Sequence, residues 1–336
     1  MGFMFLKPRR EHHQDEPHRG WVDRLLQVEA ELYEPSQEED GSFRQVGGHS
    51  AALVSSGGGR LKKQWNAREQ QFYEEAAGGA WPLRFLPQYY GGSGEENCIV
   101  IQNLLEGFQN PCVMDLKLGV RTSGRDADWL KSARMSLLDH LTSSSATGVR
   151  LEGISVHQTL ERKRITGGKH VSHLCTLGDS LEEIFTFFLT DTYIRTDIAN
   201  IFLERIQDML DHFQRNRRYH FTGTSLLLYY DNNNSASKQR WYRALHQAGH
   251  LRSSLLSKMM KTKADVKMID FAHVEEIEPF SDFQRDEGFI MGLKSIKKAL
   301  LNVLASKGFD SRFALTDVLE SAVSGRLSGL SGPLAT

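Results

Sequence analysis

Asp115 and Lys117 lie two residues apart in the run Pro111-Cys-Val-Met-Asp-Leu-Lys-Leu-Gly119. The run is apolar enough to form a buried strand, and residues i and i+2 of a strand point to the same face. Opposite charges on one face of a hydrophobic strand are costly to bury. They form either a structural ion pair or a site that handles a phosphate-bearing ligand. Asp270 follows the apolar Met268-Ile269 and precedes Phe271. A carboxylate at the end of a hydrophobic strand can hold Mg²⁺ between the β- and γ-phosphates of a nucleotide, the alternative being a capped turn aspartate. Upstream, Arg60-Leu-Lys-Lys-Gln-Trp65 reads as a strand bearing Lys62 and Lys63, and Ala67-Arg-Glu-Gln-Gln-Phe-Tyr-Glu-Glu75 reads as a helix burying Phe72 and Tyr73. Lys63 is either a surface lysine or a phosphate-holding one, with Glu69 as its candidate partner.

The surrounding elements must bring these groups together. Residues 43–64 read as two strands around the turn Ser55-Ser-Gly-Gly-Gly59, and Gly47 and Gly48 before them could let backbone N–H groups approach phosphate. Strand, glycine turn, lysine strand and glutamate helix follow the order of a kinase N-lobe. Gly91-Gly-Ser-Gly94 reads as a turn, and Cys98-Ile-Val-Ile-Gln-Asn-Leu-Leu105 as a strand entering a polar bend. An adenine there would meet backbone groups near Gln102 and Leu104. Asp128–Leu138 reads as a short helix with Lys131 and Arg134 on one face. Apolar periodicity predicts a helix burying Leu181, Ile184, Phe185 and Phe188, with Ser180 and Glu183 as a capping box. A second helix over 197–214 buries Ile198, Ile201, Phe202, Ile206, Met209 and Phe213. Strands are expected over 222–230 and 266–274, and a last amphipathic helix over 288–304. From Lys238 to Lys267 there are eight Lys/Arg and one acid, Asp265. Such a run is either a solvated face or a lure for an anion.

Composition narrows the class. The chain has 336 residues, 40% hydrophobic and 25% charged, with a net charge of −1. That is an ordinary globular balance with no overall pull toward nucleic acid or membrane, so anion binding must come from local clusters. Three cysteines give no disulfide framework and fit a reducing compartment. Neither HExxH nor a CxxC spacing appears. The opening Met-Gly-Phe-Met-Phe-Leu lacks the Ser or Thr of a myristoylation signal and is too short for a signal sequence. A cytoplasmic or nuclear protein is expected.

Pro-x-x-x-Asp-x-Lys-x-Gly, filled by Pro111, Asp115, Lys117 and Gly119, resembles the signature of the inositol polyphosphate kinase family. Other segments resemble the same family in the same order. Gln45-Val-Gly-Gly-His-Ser50, Leu61-Lys-Lys-Gln64 and Arg68-Glu-x-x-Phe-Tyr73 resemble its N-lobe. Ser143–Ile154 resembles a segment of the inositol trisphosphate 3-kinases, Thr224-Ser-Leu-Leu-Leu228 the family's Ser-Ser-Leu-Leu strand, and Lys267-Met-Ile-Asp-Phe-Ala-His-Val274 with Asp286-Glu-Gly-Phe-Ile-Met-Gly-Leu-Lys294 the C-terminal part of the inositol polyphosphate multikinases. The likeness spans about 43–305 and departs from the pattern over 155–170, where His157 and then Arg162-Lys-Arg-Ile-Thr-Gly-Gly-Lys169 stand in place of a tyrosine strand and a Gly-Arg pair.

The resemblance implies an α+β, two-lobed protein-kinase-like fold: a smaller N-terminal antiparallel sheet lobe and a larger α+β C-terminal lobe. The expected division is an extension over 1–40, an N-lobe over 41–105, a C-lobe over 106–310 and a tail over 311–336. The C-lobe would carry a short inositol-binding insertion at 124–142 and a basic insertion at 232–263. The implied activity is transfer of the ATP γ-phosphate to a soluble inositol polyphosphate, of multikinase or hexakisphosphate-kinase type, with ATP and Mg²⁺ as cofactors. Lys63, Gln102, Leu104, Asp115 and Asp270 would bind nucleotide and metal. Lys117 would neutralise phosphate, and Asp115 would bind a hydroxyl of either the ribose or the inositol. Lys117, Lys131, Arg134, Arg150, Arg164, Lys169 and His273 would face the substrate, whose dense negative charge needs such a pocket. A monomer is expected, with no nucleic acid and no stable membrane anchor. A kinase of this fold acting on another substrate and a non-catalytic phosphate-binding scaffold are the alternatives. Against the first, there is neither a His-Arg-Asp catalytic loop nor an Asp-Phe-Gly run.

Overall fold

Lys63 and Asp115 are carried by two different antiparallel sheets. The computed structural model describes residues 53–93, 97–119, 147–158, 163–167, 181–191, 194–232, 263–277 and 285–305. The first sheet contains β1 (Leu53–Gly57), β2 (Arg60–Gln64), β3 (Tyr89–Ser93) and β4 (Cys98–Gln102), in the order β1-β2-β4-β3. Register pairs Leu61 with Ile101 and Lys63 with Ile99, so Lys63 shares a face with buried apolar side chains. Helix α1 (Ala67–Glu75) follows, its N-terminus capped by the Asn66 side chain, which accepts from the Glu69 N–H.

One expectation changes in this lobe. Gly91, Gly92 and Ser93 are not in a turn but in β3, where pairing with β4 outweighs the weak strand preference of glycine. The glycine turn between β1 and β2 faces the interlobe connection. Gly57, Gly58 and Gly59 all have positive φ, and the Gly59 carbonyl accepts from the Asn103 N–H at 2.8 Å. Gly47 and Gly48 lie outside the described residues.

The second sheet contains β5 (Pro111–Leu118), β6 (Val149–Gln158), β7 (Lys163–Gly167), β9 (Ser225–Asp231) and β10 (Ala264–Ile269), in the order β10-β9-β5-β6-β7. Alternation gives it two unlike faces. Met114, Leu116, Leu118, Leu226, Leu228, Tyr230, Val266 and Met268 form one face and are fully buried. Helices α2 (Leu181–Leu189), α3 (Thr196–Phe213) and α4 (Glu287–Ala305) complete that core, with α3 packing on β10 and α4 on β5 and β6. The helical residues expected to be buried are buried. Each such side chain contributes roughly 1.5–3 kcal/mol of apolar transfer free energy.

The apolar run 266–274 is not one strand. β10 ends at Ile269, Asp270 turns with φ +64, and β11 (Val274–Glu276) pairs with β8 (Tyr219–Phe221), a three-residue strand too short to leave a sequence pattern. Beyond Asp270, Phe271 packs against Phe72 and Tyr73 of α1 at ring separations of 4.6 and 5.3 Å. Phe72 also meets Tyr219 and Phe221 edge-on. Arg68 Nε donates to the Val274 carbonyl at 2.6 Å, and the Tyr219 hydroxyl donates to Glu75 at 2.7 Å. Helix α1 is thereby fixed to the second lobe by both rings and hydrogen bonds.

Close approach of backbones sets the placement of α4. A Cβ added at Gly292 would lie 2.6 Å from the Gly148 carbonyl and 3.0 Å from Leu118 Cγ. Gly292→Ala should therefore lower stability by about 2 kcal/mol, since neither backbone can yield cheaply. Urea unfolding checks this: an unchanged midpoint would show that the contact can relax. No described helix is long and apolar enough to cross a membrane.

Candidate active site

Lys63 is the hub of the site. Its ammonium lies 2.7 Å from Glu69 Oε1 and 2.6 Å from Asp270 Oδ1. The expected Lys63–Glu69 partnership is present, and it extends across the lobes to Asp270. Burial alone would lower the Lys63 pKa, but the Asp270 and then the Glu69 carboxylate outweigh it and hold the value above the usual lysine range. Glu69 is 2% exposed, whereas Asp270 keeps 48% of its side-chain surface. The inner carboxylate is thus a fixed support and the outer one is open to a ligand.

Asp270 holds a left-handed backbone conformation, which a non-glycine residue adopts at a cost on the order of 1 kcal/mol. Thr224 Oγ1 donates to the Asp270 carbonyl at 2.9 Å, and the Phe271 N–H lies 3.4 Å from Glu69 Oε1. With Phe271 fully buried, the backbone is held on both sides of the strained residue.

The second sheet turns its other face to this site. In register across it, Lys117 sits between Ser225 and Arg150, and Asp115 between Leu227 and Gly153, with a bulge at Glu152. Asp115 and Lys117 share this face, but Asp115 makes no ion pair with a described residue. Asp115 Oδ1 is buried without a hydrogen-bond partner. Burial pushes the Asp115 carboxyl up to about 7; the Asp270 carboxylate adds to the rise, and the Ser225 hydroxyl beside it opposes it. An orphaned, buried carboxylate oxygen weighs against a purely structural ion pair.

The connection from β4 to β5 is stitched down at several points. Asp231 accepts from the Gln109 and Asn110 N–H groups at 3.2 and 2.8 Å, and Lys263 Nζ donates to the Gly107 carbonyl. Gln102 donates its backbone N–H to the Gln88 carbonyl and accepts from Gln88 N–H on its side chain. Its N–H is therefore occupied. Leu104 makes no backbone hydrogen bond to a described residue.

The other expected substrate residues are distributed as follows. Arg150 is 6% exposed and its guanidinium is held by Glu152 at 2.6 Å, so it orders the wall of the site. His273 is exposed, three residues beyond Asp270. Arg164 is paired opposite His157 in β7. Lys131, Arg134 and Lys169 lie outside the described residues, as do the segment 124–142 and nearly all of the basic run. In the sequence Thr224, Ser225 and Glu152 stand only within longer family-like runs, and their hydroxyl and carboxylate roles carry no local signature.

Among the described residues no cluster of three or more His, Cys, Asp or Glu forms a ready metal cage. A half-exposed Asp270 beside a buried, unpartnered Asp115 oxygen does suit a hard divalent cation that takes its remaining ligands from phosphates and water.

The family model for inositol polyphosphate kinases matches residues 98–301. The chain belongs to the inositol polyphosphate kinase family. It is 25% identical over 225 residues to inositol hexakisphosphate kinase 3 of Homo sapiens, covering 66% of this chain and 55% of that protein. Identity to human inositol hexakisphosphate kinase 2 is 27% over 228 residues, covering 62% and 52%. This family member thus spans about half the length of the relatives it matches. The fold matches the inositol phosphate multikinase Ipk2 from S. cerevisiae, solved with ADP and Mn²⁺, at a TM-score of 0.58 and 22% identity, covering 74% of this chain and all of that one. The expected two-lobed kinase-like α+β architecture is therefore the fold of the chain.

Proposed function

We propose that this chain is an ATP-dependent kinase that transfers the γ-phosphate to a soluble inositol polyphosphate, of the multikinase or hexakisphosphate-kinase type. The observation that carries the reading is the Lys63 ammonium held between Glu69 and Asp270, with Asp115 and Lys117 on the facing sheet. The names of the relatives support it, as does the ADP and Mn²⁺ in the yeast multikinase.

In this reading Lys63 moves from Asp270 to the α- and β-phosphates, steered by Glu69. Asp270, released from Lys63, would hold Mg²⁺ or Mn²⁺, and that cation would supply charge neutralisation for the nucleotide phosphates. Leu104 would offer its backbone groups to an adenine. Lys117 screens the transferring phosphate, and Asp115 accepts a hydrogen bond from a hydroxyl. Positioning and charge neutralisation supply the acceleration. Residues 41–105 would present the nucleotide and 106–310 the acceptor, with 124–142, Arg164 and Lys169 on the substrate side.

The chain would act as a monomer in the cytoplasm or nucleus; buried Cys98 and Cys112 thiols support a reducing compartment. Incubation with a panel of inositol phosphates and Mg-ATP tests the activity. Gain of phosphate by at least one member is expected; no transfer to any member while ATP still binds would overturn it.

A further inference from the structure

We infer that Thr224 is a positioning residue for the metal-binding carboxylate, setting Asp270 in register with the Asp115–Lys117 strand. The inference rests on the metal role proposed for Asp270. Thr224 is fully buried, directly before β9. Its side-chain oxygen donates to the Asp270 carbonyl at 2.9 Å. Its own carbonyl accepts from the Leu118 N–H at 3.1 Å. A single residue therefore ties the metal side of the site to the strand that carries Asp115 and Lys117.

The tie matters because Asp270 needs it. The residue is in the left-handed region, at φ +64, just where β10 stops pairing with β9. Ordinary strand geometry would carry the chain on past Ile269 and turn the carboxylate elsewhere. The Thr224 hydroxyl supplies the carbonyl of the strained residue with a donor that the strand ladder does not provide there. On the far side, Phe271 is wedged among the α1 rings, so the hydroxyl and the wedge together determine where the carboxylate points. The carboxylate then reaches Lys63 without ligand, and would be offered to the cation when nucleotide draws Lys63 away.

The hydroxyl can be separated from the methyl by comparing Thr224→Ser, Thr224→Ala and Thr224→Val. Titration calorimetry with Mn²⁺·ADP, and with ADP alone in chelator, reads the metal contribution, and thermal unfolding reads the fold. Loss of one well-formed hydrogen bond predicts about tenfold weaker Mn²⁺·ADP binding in both T224A and T224V, with restoration to within about twofold in T224S. Metal-free ADP binding should change by less than about twofold in all three. Equal damage in T224S and T224A, wild-type Mn²⁺·ADP affinity in T224V, or a parallel fall in metal-free ADP binding would each overturn the inference. If T224V does not fold, the Ser and Ala pair still isolates the hydroxyl. Failure of the wild-type protein to bind Mn²⁺·ADP more tightly than ADP would instead overturn the metal role of Asp270.

Discussion

Asp270→Asn should lower the rate of phosphoryl transfer by about 10³-fold while leaving the protein folded and as stable as the wild type. The expected loss corresponds to about 4 kcal/mol of transition-state stabilisation from a metal-held γ-phosphate. Asn is the right replacement because it tolerates the left-handed backbone that Asp270 occupies, so the charge is removed without the strain an alanine would add. Stability should hold because the Asp270 side chain is 48% exposed and Lys63 keeps Glu69. Lys63→Met should be as inactive but behave differently in unfolding. It leaves Glu69, 2% exposed, as a buried carboxylate without its cation, at a cost of about 3 kcal/mol. That contrast separates a ligand-facing charge from a supporting one. Equal stability loss in the two variants, measured by urea unfolding at neutral pH, would show that Asp270 and Glu69 share one structural role.

The parts of this site that are legible in the sequence are those whose signal is local. Lys63 and Glu69 lie on one strand and in the first turn of the next helix, so the order of a kinase N-lobe suggests their pairing. Asp115 and Lys117 needed only the period of two of a strand. What the sequence hid depends on contacts formed across the chain. The bond between Thr224 and Asp270 joins residues 46 apart and has no motif of its own beyond a threonine before an apolar run. The run 266–274 reads as a single strand because Phe271 and Val274 are apolar. Those residues are apolar because they pack on α1 and β8, not because the strand continues. Arg150 shows only a charge in the sequence; the bulge that brings Glu152 back to it is a matter of sheet register. The glycines of β3 look like a turn in the sequence because pairing with β4 overrides propensity only once the sheet exists.

Asp115→Asn should stabilise the protein at pH 8 while abolishing its activity. In the folded chain the Asp115 carboxyl is pushed to about 7, against 3.8 for an ordinary aspartate. Between these values the native state binds a proton that the unfolded state does not. Stability contributed by this group is therefore greatest at low pH, falls as pH rises from about 4 to about 7, and is level above that. A rise from 3.8 to about 7 corresponds to about 4 kcal/mol of penalty at pH 8. Asn keeps the shape, removes the charge and escapes that penalty. The variant should gain a few kcal/mol over wild type at pH 8, and the gap should close toward pH 5. In the proposed reaction the unpartnered Oδ1 would accept from a substrate or ribose hydroxyl, a charge-assisted bond that the neutral Asn oxygen makes more weakly. Binding of Mn²⁺·ADP should also lower the Asp115 pKa, since a cation on Asp270 cancels the second-largest cause of the rise. Calorimetry at pH 7 in buffers of different ionisation enthalpy should then show proton release in wild type and little in the Asn variant. A stability gap that did not vary between pH 5 and pH 8 would mean that Asp115 is ionised in the folded protein throughout, and that its buried oxygen is held by an interaction other than the waiting hydroxyl.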